Sequence, residues 1–394
     1  MFKSALKKIK SKAKNWFLYI ALLGILLNVA GTSFGIDKIK QLGAYASIIS
    51  VLLCFAYVVV LEEANVQSLL MLAFVCYSIG VLIITQSVSY RNIIDMLTFL
   101  EMPILFFCYD REDRKNVLHV IFLLFLGISA LFFLCTFQKK FYNPLHGNAL
   151  AIGPHPEVNP NQTALQLTQG LFIILCAVYY YKDIKLKLLY IVGAVVTLYV
   201  IYLTKSRTCL VIAALGIVLV LIQRFIKVRP IFILICYLVP LLMAIFILHG
   251  EAIYSNWNFL GEAFDTGRKR IYEIPFLNMN FKKFLFGDVG FHTFDNDHNA
   301  FLTVFANLGA IGFCSFFFFI MHKMIKTVSR PLENYQNVAV IGMLTLILHA
   351  SMEASSFMTT LAYLMVPFFL LYLIANTTEK KALKGFEKRA HNLF

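Results

Sequence analysis

The sequence predicts an all-α polytopic membrane protein of about twelve transmembrane helices, with a long extracytoplasmic loop carrying short helices. Two observations predict it. Apolar residues make up 60% of the chain against 14% charged, and the mean hydropathy is +0.76. Soluble domains carry about 25% charged residues, so a surface this poor in charge faces lipid or apolar neighbours. Crossing the hydrocarbon core takes about 20 consecutive apolar residues, and such runs recur about twelve times along the 394 residues, giving a single integral membrane domain over 1–394.

The first six runs lie near Trp16 to Phe34, Leu42 to Leu61, Ser68 to Gln86, Ile93 to Tyr109, Val117 to Thr136 and Ala164 to Tyr181. The second six lie near Leu186 to Thr204, Thr208 to Ile226, Ile231 to His249, His298 to Ile320, Asn337 to Met352 and Phe357 to Ala375. The fourth holds Asp95 and Glu101, and the eleventh holds His349 and ends near Glu353. Basic stretches precede the first run, Lys3 to Lys14, and follow the last, Lys380 to Arg389, so the positive-inside rule puts both termini in the cytoplasm. On that orientation about two thirds of the 35 basic residues fall inside; Glu62 and Glu63 are the inside loop that breaks the rule. The first run is longer than a signal-peptide h-region and lacks an evident small-residue cleavage site, so it reads as a retained span.

The eight cysteines, Cys54, Cys76, Cys108, Cys135, Cys176, Cys209, Cys236 and Cys314, stand singly in apolar runs and behave as small hydrophobes, with neither disulfide nor zinc spacing. The net charge of +14 sits in short clusters beside the spans, where orientation signals belong, which excludes nucleic-acid binding.

Two connections are long, Phe137 to Thr163 and Gly250 to Asp297, and both are expected on the external face, where ordered loops carry function. The second is rich in aromatics, among them Trp257, Phe264, Tyr272 and Phe284, and is expected to fold into short helices over the external mouth. Lys139, Lys140, Lys282 and Lys283 read as residue of an imperfect charge bias. Arg207 is different, since "YLTKSRTCLV" breaks two apolar runs with almost no loop. A cation there is costly unless paired, so an anionic ligand or a buried carboxylate is the expected partner, with Lys205 and Ser206 as companions. In "DTGRKRIYEIPF", Arg268 and Arg270, with Tyr272 beside them, lie on the same side; guanidinium forks from separate loops suit a diphosphate without a metal. The competing reading is a surface pair balanced by Glu262, Asp265 and Glu273.

In "FGDVGFHTFDNDHNAFLTVFANLGAIGF" the loop enters the tenth span. Asp297 is placed to cap the first turn, leaving His298 and Asn299 at the external boundary, where a histidine serves as proton acceptor or hydrogen-bond donor to a sugar, or as polar trim. Asp295 and Asp297 also spell DxD, a frequent chance match; with no nucleotide-binding domain to use it, no metal is expected. In the first external loop Asn159, Pro160, Asn161 and Gln162 suit either a helix start or the binding of sugar hydroxyls.

This ordered set resembles the O-antigen ligase and polymerase family of bacterial envelope glycan assembly, including Wzy-type capsular polysaccharide polymerases. The elements are "NPNQT" before a span, "TKSRT" opening one, "TGR" in a long external loop, the "GDVG" turn, and "DHNAFLTVFANLGAIG" with glycines at 309 and 312, covering about Asn159 to Gly312. Residues before Phe137 carry no family motif, and nothing resembles the large periplasmic module of some members. The resemblance implies a glycosyltransferase of the bacterial cytoplasmic (inner) membrane that uses an undecaprenyl-diphosphate-linked oligosaccharide on the external face without a cofactor. It implies that Arg207 and Arg268 hold the donor diphosphate and that His298 lies at the reacting centre. Membrane lipids, a flippase and a chain-length regulator are the implied partners. The acceptor is another lipid-linked repeat unit in a polymerase and lipid A core in a ligase, and composition leans to a capsule or exopolysaccharide polymerase. A reading from another class is a transporter of the same lipid-linked glycans, which Asp95, Glu101, His349 and Glu353 would suit, against the lack of an internal two-fold repeat.

Overall fold

The structure is a computed structural model that describes residues 2–61, 66–109, 115–152, 160–223, 225, 228–254, 258–259, 262–263, 268–273, 276–277, 279–288, 299–350 and 366–377. Its helices are α1 (Phe2–Phe34), α2 (Asp37–Leu61), α3 (Val66–Ile84), α4 (Tyr90–Cys108), α5 (Lys115–Cys135), α6 (Pro160–Tyr180), α7 (Ile184–Leu203), α8 (Arg207–Ile222) and α9 (Pro230–His249). Three short helices follow in the long loop, α10 (Glu251–Tyr254), α11 (Arg268–Glu273) and α12 (Phe281–Phe286), and then α13 (Ala300–Val328), α14 (Asn334–His349) and α15 (Val366–Asn376). Two-residue strands form hairpins in each long connection: β1 (Tyr142–Asn143) with β2 (Ala149–Leu150), and β3 (Asn258–Phe259) with β4 (Glu262–Ala263).

Each apolar run overlaps one of these helices, although the starts of the tenth and last runs and the ends of the eighth and eleventh include residues outside the described ones. Among the described residues seven helices, α2, α3, α5, α6, α7, α9 and α13, are long and apolar enough to cross a membrane. The protein is thus an all-α membrane protein. Helix starts follow local chemistry. Ser89 caps α4 through Asn92 N–H, Asp183 caps α7 through Lys185 N–H, Pro230 opens α9, and Glu333 with Gln336 forms a capping box on α14.

Side-chain contacts sort the helix ends onto two faces. On one, Lys14 Nζ donates to Cys108 O, Tyr109 packs on Phe369 with ring centroids 5.6 Å apart, and Arg330 donates to Ala375 O. We call this the terminal face, since it gathers the flanks of α1 and α15. On the other, the loop face, Lys282 Nζ donates to the carbonyl of Ile84 and Lys205 Nζ to that of Gly147. Between them α6 and α14 form the centre. Fourteen residues of α6 are buried, from Pro160 to Ala177, and thirteen of α14, from Tyr335 to His349, so both are ringed by other helices.

The tenth run differs from the single span expected from His298 to Ile320. Phe301 stacks on Phe317 with centroids 4.4 Å apart and planes at 5°, and Phe305 meets Phe313 edge-on at 6.1 Å. In an unbroken helix residues 301 and 317 would stand about 24 Å apart along the axis. The chain instead folds back at Gly309, φ +62° and ψ −174°, so a short arm, 300–308, runs antiparallel to a long arm, 310–328. That backbone is open only to glycine. A Cβ there would also lie 2.3 Å from the carbonyl carbon of Leu285, and one on Gly287, φ +77°, would lie 2.3 Å from the carbonyl oxygen of Asn307. The end of α12 and the bend in α13 therefore touch backbone to backbone, tied by Asp288 N–H to Ala306 O at 2.8 Å. Gly287 of "GDVG" and Gly309 of "NLGAIG" are two halves of one contact. Tyr77 of α3 braces it, its hydroxyl 2.6 Å from Leu308 O.

Because the short arm rises toward Gly309, its start is its deep end. Asn299 lies about 15 Å further into the bundle than the bend, ten residues at about 1.5 Å each. The Phe301 ring sits 6.1 Å from that of Tyr237, in the terminal-face half of α9.

Candidate functional site

The deep end of the short arm is where the polar residues meet. Asn299, fully buried, is the N-cap of α13: its Oδ1 accepts from the amides of Phe301 and Leu302, each at 3.0 Å. This corrects the expectation that Asp297 caps the helix. Asparagine and aspartate cap about equally well, and the chain becomes helical two residues later than expected. The amide of Ala300 donates to the carbonyl of Ala350 at 2.8 Å, joining the start of α13 to the end of α14.

One residue before Ala350, His349 is fully buried, and its Nε2 lies 3.5 Å from Sγ of Cys209, also buried, in the first turn of α8. That contact draws in Arg207. The turn from α7 to α8 is short: Ser206 N–H donates to Thr204 Oγ1 at 3.3 Å, and Lys205 takes left-handed φ, +56°, unusual for a residue with a side chain. Lys205 is exposed and its ammonium donates to Gly147 O at 2.7 Å, fastening the first long connection over the turn. Arg207 then opens α8, half-buried. Ser206 stands at the N-cap, but its buried hydroxyl caps no amide and has no hydrogen-bond partner among the described residues. The first turn of α8 is therefore left without a side-chain cap, and its positive dipole end faces the same region as the arginine. At 16 residues α8 is about 24 Å long, short of a 30 Å hydrocarbon core.

Other elements bring in the remaining candidates. Ile152 N–H donates to Thr163 Oγ1 at 3.0 Å, setting the first long connection against the first turn of α6; Pro160 opens that helix and Asn161 follows, half-buried. Pro160 thus takes the helix-start role, one of the two readings open for this segment. In α11, Tyr272 is buried with Ala244 and Ile247 of α9 and Leu302 of α13. The tyrosine anchors α11, which Arg268 opens, beside the first turn of α13, while Arg270 is exposed. Glu251 and Lys269 form an ion pair that ties α10 to α11. His298, Asp297, Asp295, Asn159 and Glu353 lie outside the described residues, although the first two immediately precede Asn299.

Of the acidic groups that suit a transporter, Glu101 is buried in α4 and accepts from Ser47 Oγ of α2 at 3.1 Å, a brace between two helices. Asp95 is buried in the same helix.

The sequence pointed to Arg207, Ser206 and Asn299, all of which belong to the junction. Cys209 and His349 were missed as a pair. They are 140 residues apart, and each looks like an ordinary member of an apolar run; only the break before α8 and the polar end of the eleventh run hint that the two helix ends meet.

Fold and junction define a class: a polytopic all-α membrane protein with a cation-bearing polar junction inside its loop-face half, built where α8 and α13 begin and α14 ends. Compared with known proteins, the chain matches no family profile, no curated protein and no solved structure.

Proposed function

We propose that this chain is a polyprenyl-diphosphate-dependent glycosyltransferase that polymerises lipid-linked oligosaccharide repeat units into a capsular, O-antigen or exopolysaccharide chain. On this reading it crosses a bacterial cytoplasmic membrane about twelve times with both termini inside, and the loop face is external. The observation that supports the reading is that the helix opened by Arg207, α8, meets the end of α14 through Cys209 and His349, and that the start of α13 meets the same end through Ala300 and Ala350. A fixed cation and two positive dipole ends suit an anion presented by a lipid, and a diphosphate is such an anion.

The chemistry asks little more of the protein. A hydroxyl of the acceptor attacks the anomeric carbon of the donor, the bond from that carbon to the diphosphate oxygen breaks, and the polyprenyl diphosphate leaves with the electron pair. Arg207 and Arg268 stabilise the charge that grows on the leaving group, and the acceptor proton passes to His298. Asn161, Lys205, Ser206, Arg270, Tyr272, Asp297 and Asn299 frame the substrates. The catalysis is positional and electrostatic, and no cofactor is needed.

The test is the His298→Ala variant in cells. It should slow turnover by roughly 100-fold or more, the usual scale for a lost general base, and single lipid-linked repeat units should accumulate on the external leaflet. Units trapped on the cytoplasmic leaflet would reject the proposal in favour of a flippase.

A further inference from the structure

Away from the junction, α12 packs against the loop-face end of α3, and the contacts fix how deep it lies. Lys282 Nζ donates to the carbonyl of Ile84, the last residue of α3, at 2.9 Å. At the other end of α12, the Tyr77 hydroxyl donates to Leu285 O at 3.3 Å, and the Tyr77 and Phe286 rings stand 6.5 Å apart. Tyr77 precedes Ile84 by seven residues of helix, about 10 Å along the axis, while α12 is six residues and about 9 Å long. The short helix therefore lies beside the last two turns of α3 and does not rise clear of it. That stretch of α3 turns apolar side chains outward, with Ile79, Ile83 and Ile84 exposed.

Composition matches that depth. The sequence of α12 is FKKFLF, yet none of its six residues is buried. Phe276, Leu277, Phe281 and Phe284 are 43–78% exposed, and so many large apolar side chains left open on one short stretch mark an interaction surface. Phe276 and Phe284 also lean on Phe305 of the short arm, with centroids 6.1 and 5.8 Å apart, so the exposed group continues into the bundle. Both lysines are engaged, Lys282 with Ile84 and Lys283 with Asp288, so the surface asks for apolar contact and not for an anion. Surface helices that pair phenylalanine and leucine with lysine lie in the plane of a bilayer, about 5–10 Å into its headgroup boundary. We propose that α12, with Phe276 and Leu277, is an interfacial helix embedded in the loop-face leaflet. Gly287 ends α12 and packs on the backbone of Asn307 at the bend, so a bilayer that holds α12 also holds the bend of α13. The inference does not depend on the proposed reaction.

The test places a single tryptophan in the full chain, in nanodiscs of phosphatidylcholine. With Trp16→Phe and Trp257→Phe removing the two native indoles, Phe281→Trp and, in a second variant, Leu277→Trp report the depth of each position. Lipid brominated near the headgroup end of its acyl chains should quench both reporters at least about two-fold more than lipid brominated near the chain ends, as follows for side chains about 5–10 Å into the interface. Acrylamide in the water should quench them far less than it quenches free tryptophan. Strong quenching by acrylamide with none from either lipid would put α12 in water and overturn the proposal. Indoles shielded from acrylamide and from both lipids would mean that a protein partner or a second copy covers the helix, and would overturn it equally.

Discussion

Arg207 carries the reading at the level of single residues, and its neighbours fix the backbone that presents it. It starts a helix whose preceding turn is held by Thr204 and by the bond from Lys205 to Gly147, and whose first turn is packed by Cys209 against His349. A guanidinium so placed offers two parallel donors in a fixed plane, whereas a lysine offers one mobile charge. Arg207→Lys should therefore fail nearly as badly as Arg207→Ala in polymer formation, measured as high-molecular-weight polysaccharide in complemented cells. Lysine retaining most of the activity would mean that charge alone is needed there. Arg207 was legible in the sequence because a cation in so short a break is costly unless an anionic ligand or a carboxylate partners it. The histidine and thiol behind it were not, since their meaning is a contact, and the cap was misplaced because Asp297 and Asn299 are equally good caps on paper.

The bend of α13 is the decisive element. Sequence periodicity reads "AFLTVFANLGAIGFCSFFFF" as one apolar helix, because an apolar run keeps no record of direction; only the ring pairs Phe301 with Phe317 and Phe305 with Phe313 reveal the reversal. The glycines were visible as a motif, but their reason, mutual backbone contact at positive φ, is tertiary. Gly309→Ala should therefore cost about 2 kcal/mol or more, from a backbone conformation closed to alanine and a clash with the carbonyl of Leu285. Gly80→Ala, where nothing lies within 4 Å of the added methyl, should be neutral or gain up to about 1 kcal/mol. Denaturation of the purified variants in detergent compares the two, and equal stability would mean that the bend does not need glycine.

At the scale of the molecule, the positions of the helices were largely legible, since burial in lipid demands long apolar runs and nothing else in the chain supplies them. The sorting of the helix ends into two faces follows from the same alternation, with Lys14, Tyr109 and Arg330 on one and Gly147, Ile84 and Lys205 on the other. Which face is outside rests on the basic residues at the termini. Cysteine placed at Ser255 should react with a membrane-impermeant thiol reagent in intact cells, and cysteine at Ser11 should not; the reverse pattern would invert the orientation and remove the proposed reaction from the external face.

The central claim, that this membrane protein joins lipid-linked repeat units through arginines without a metal or a partner enzyme, is tested most directly by reconstitution. Purified full chain in proteoliposomes, supplied with undecaprenyl-diphosphate-linked repeat units and excess EDTA, should convert them to a ladder of longer products with release of undecaprenyl diphosphate. Repeat units left unjoined under every condition, or joined only after magnesium or manganese is restored, would contradict it.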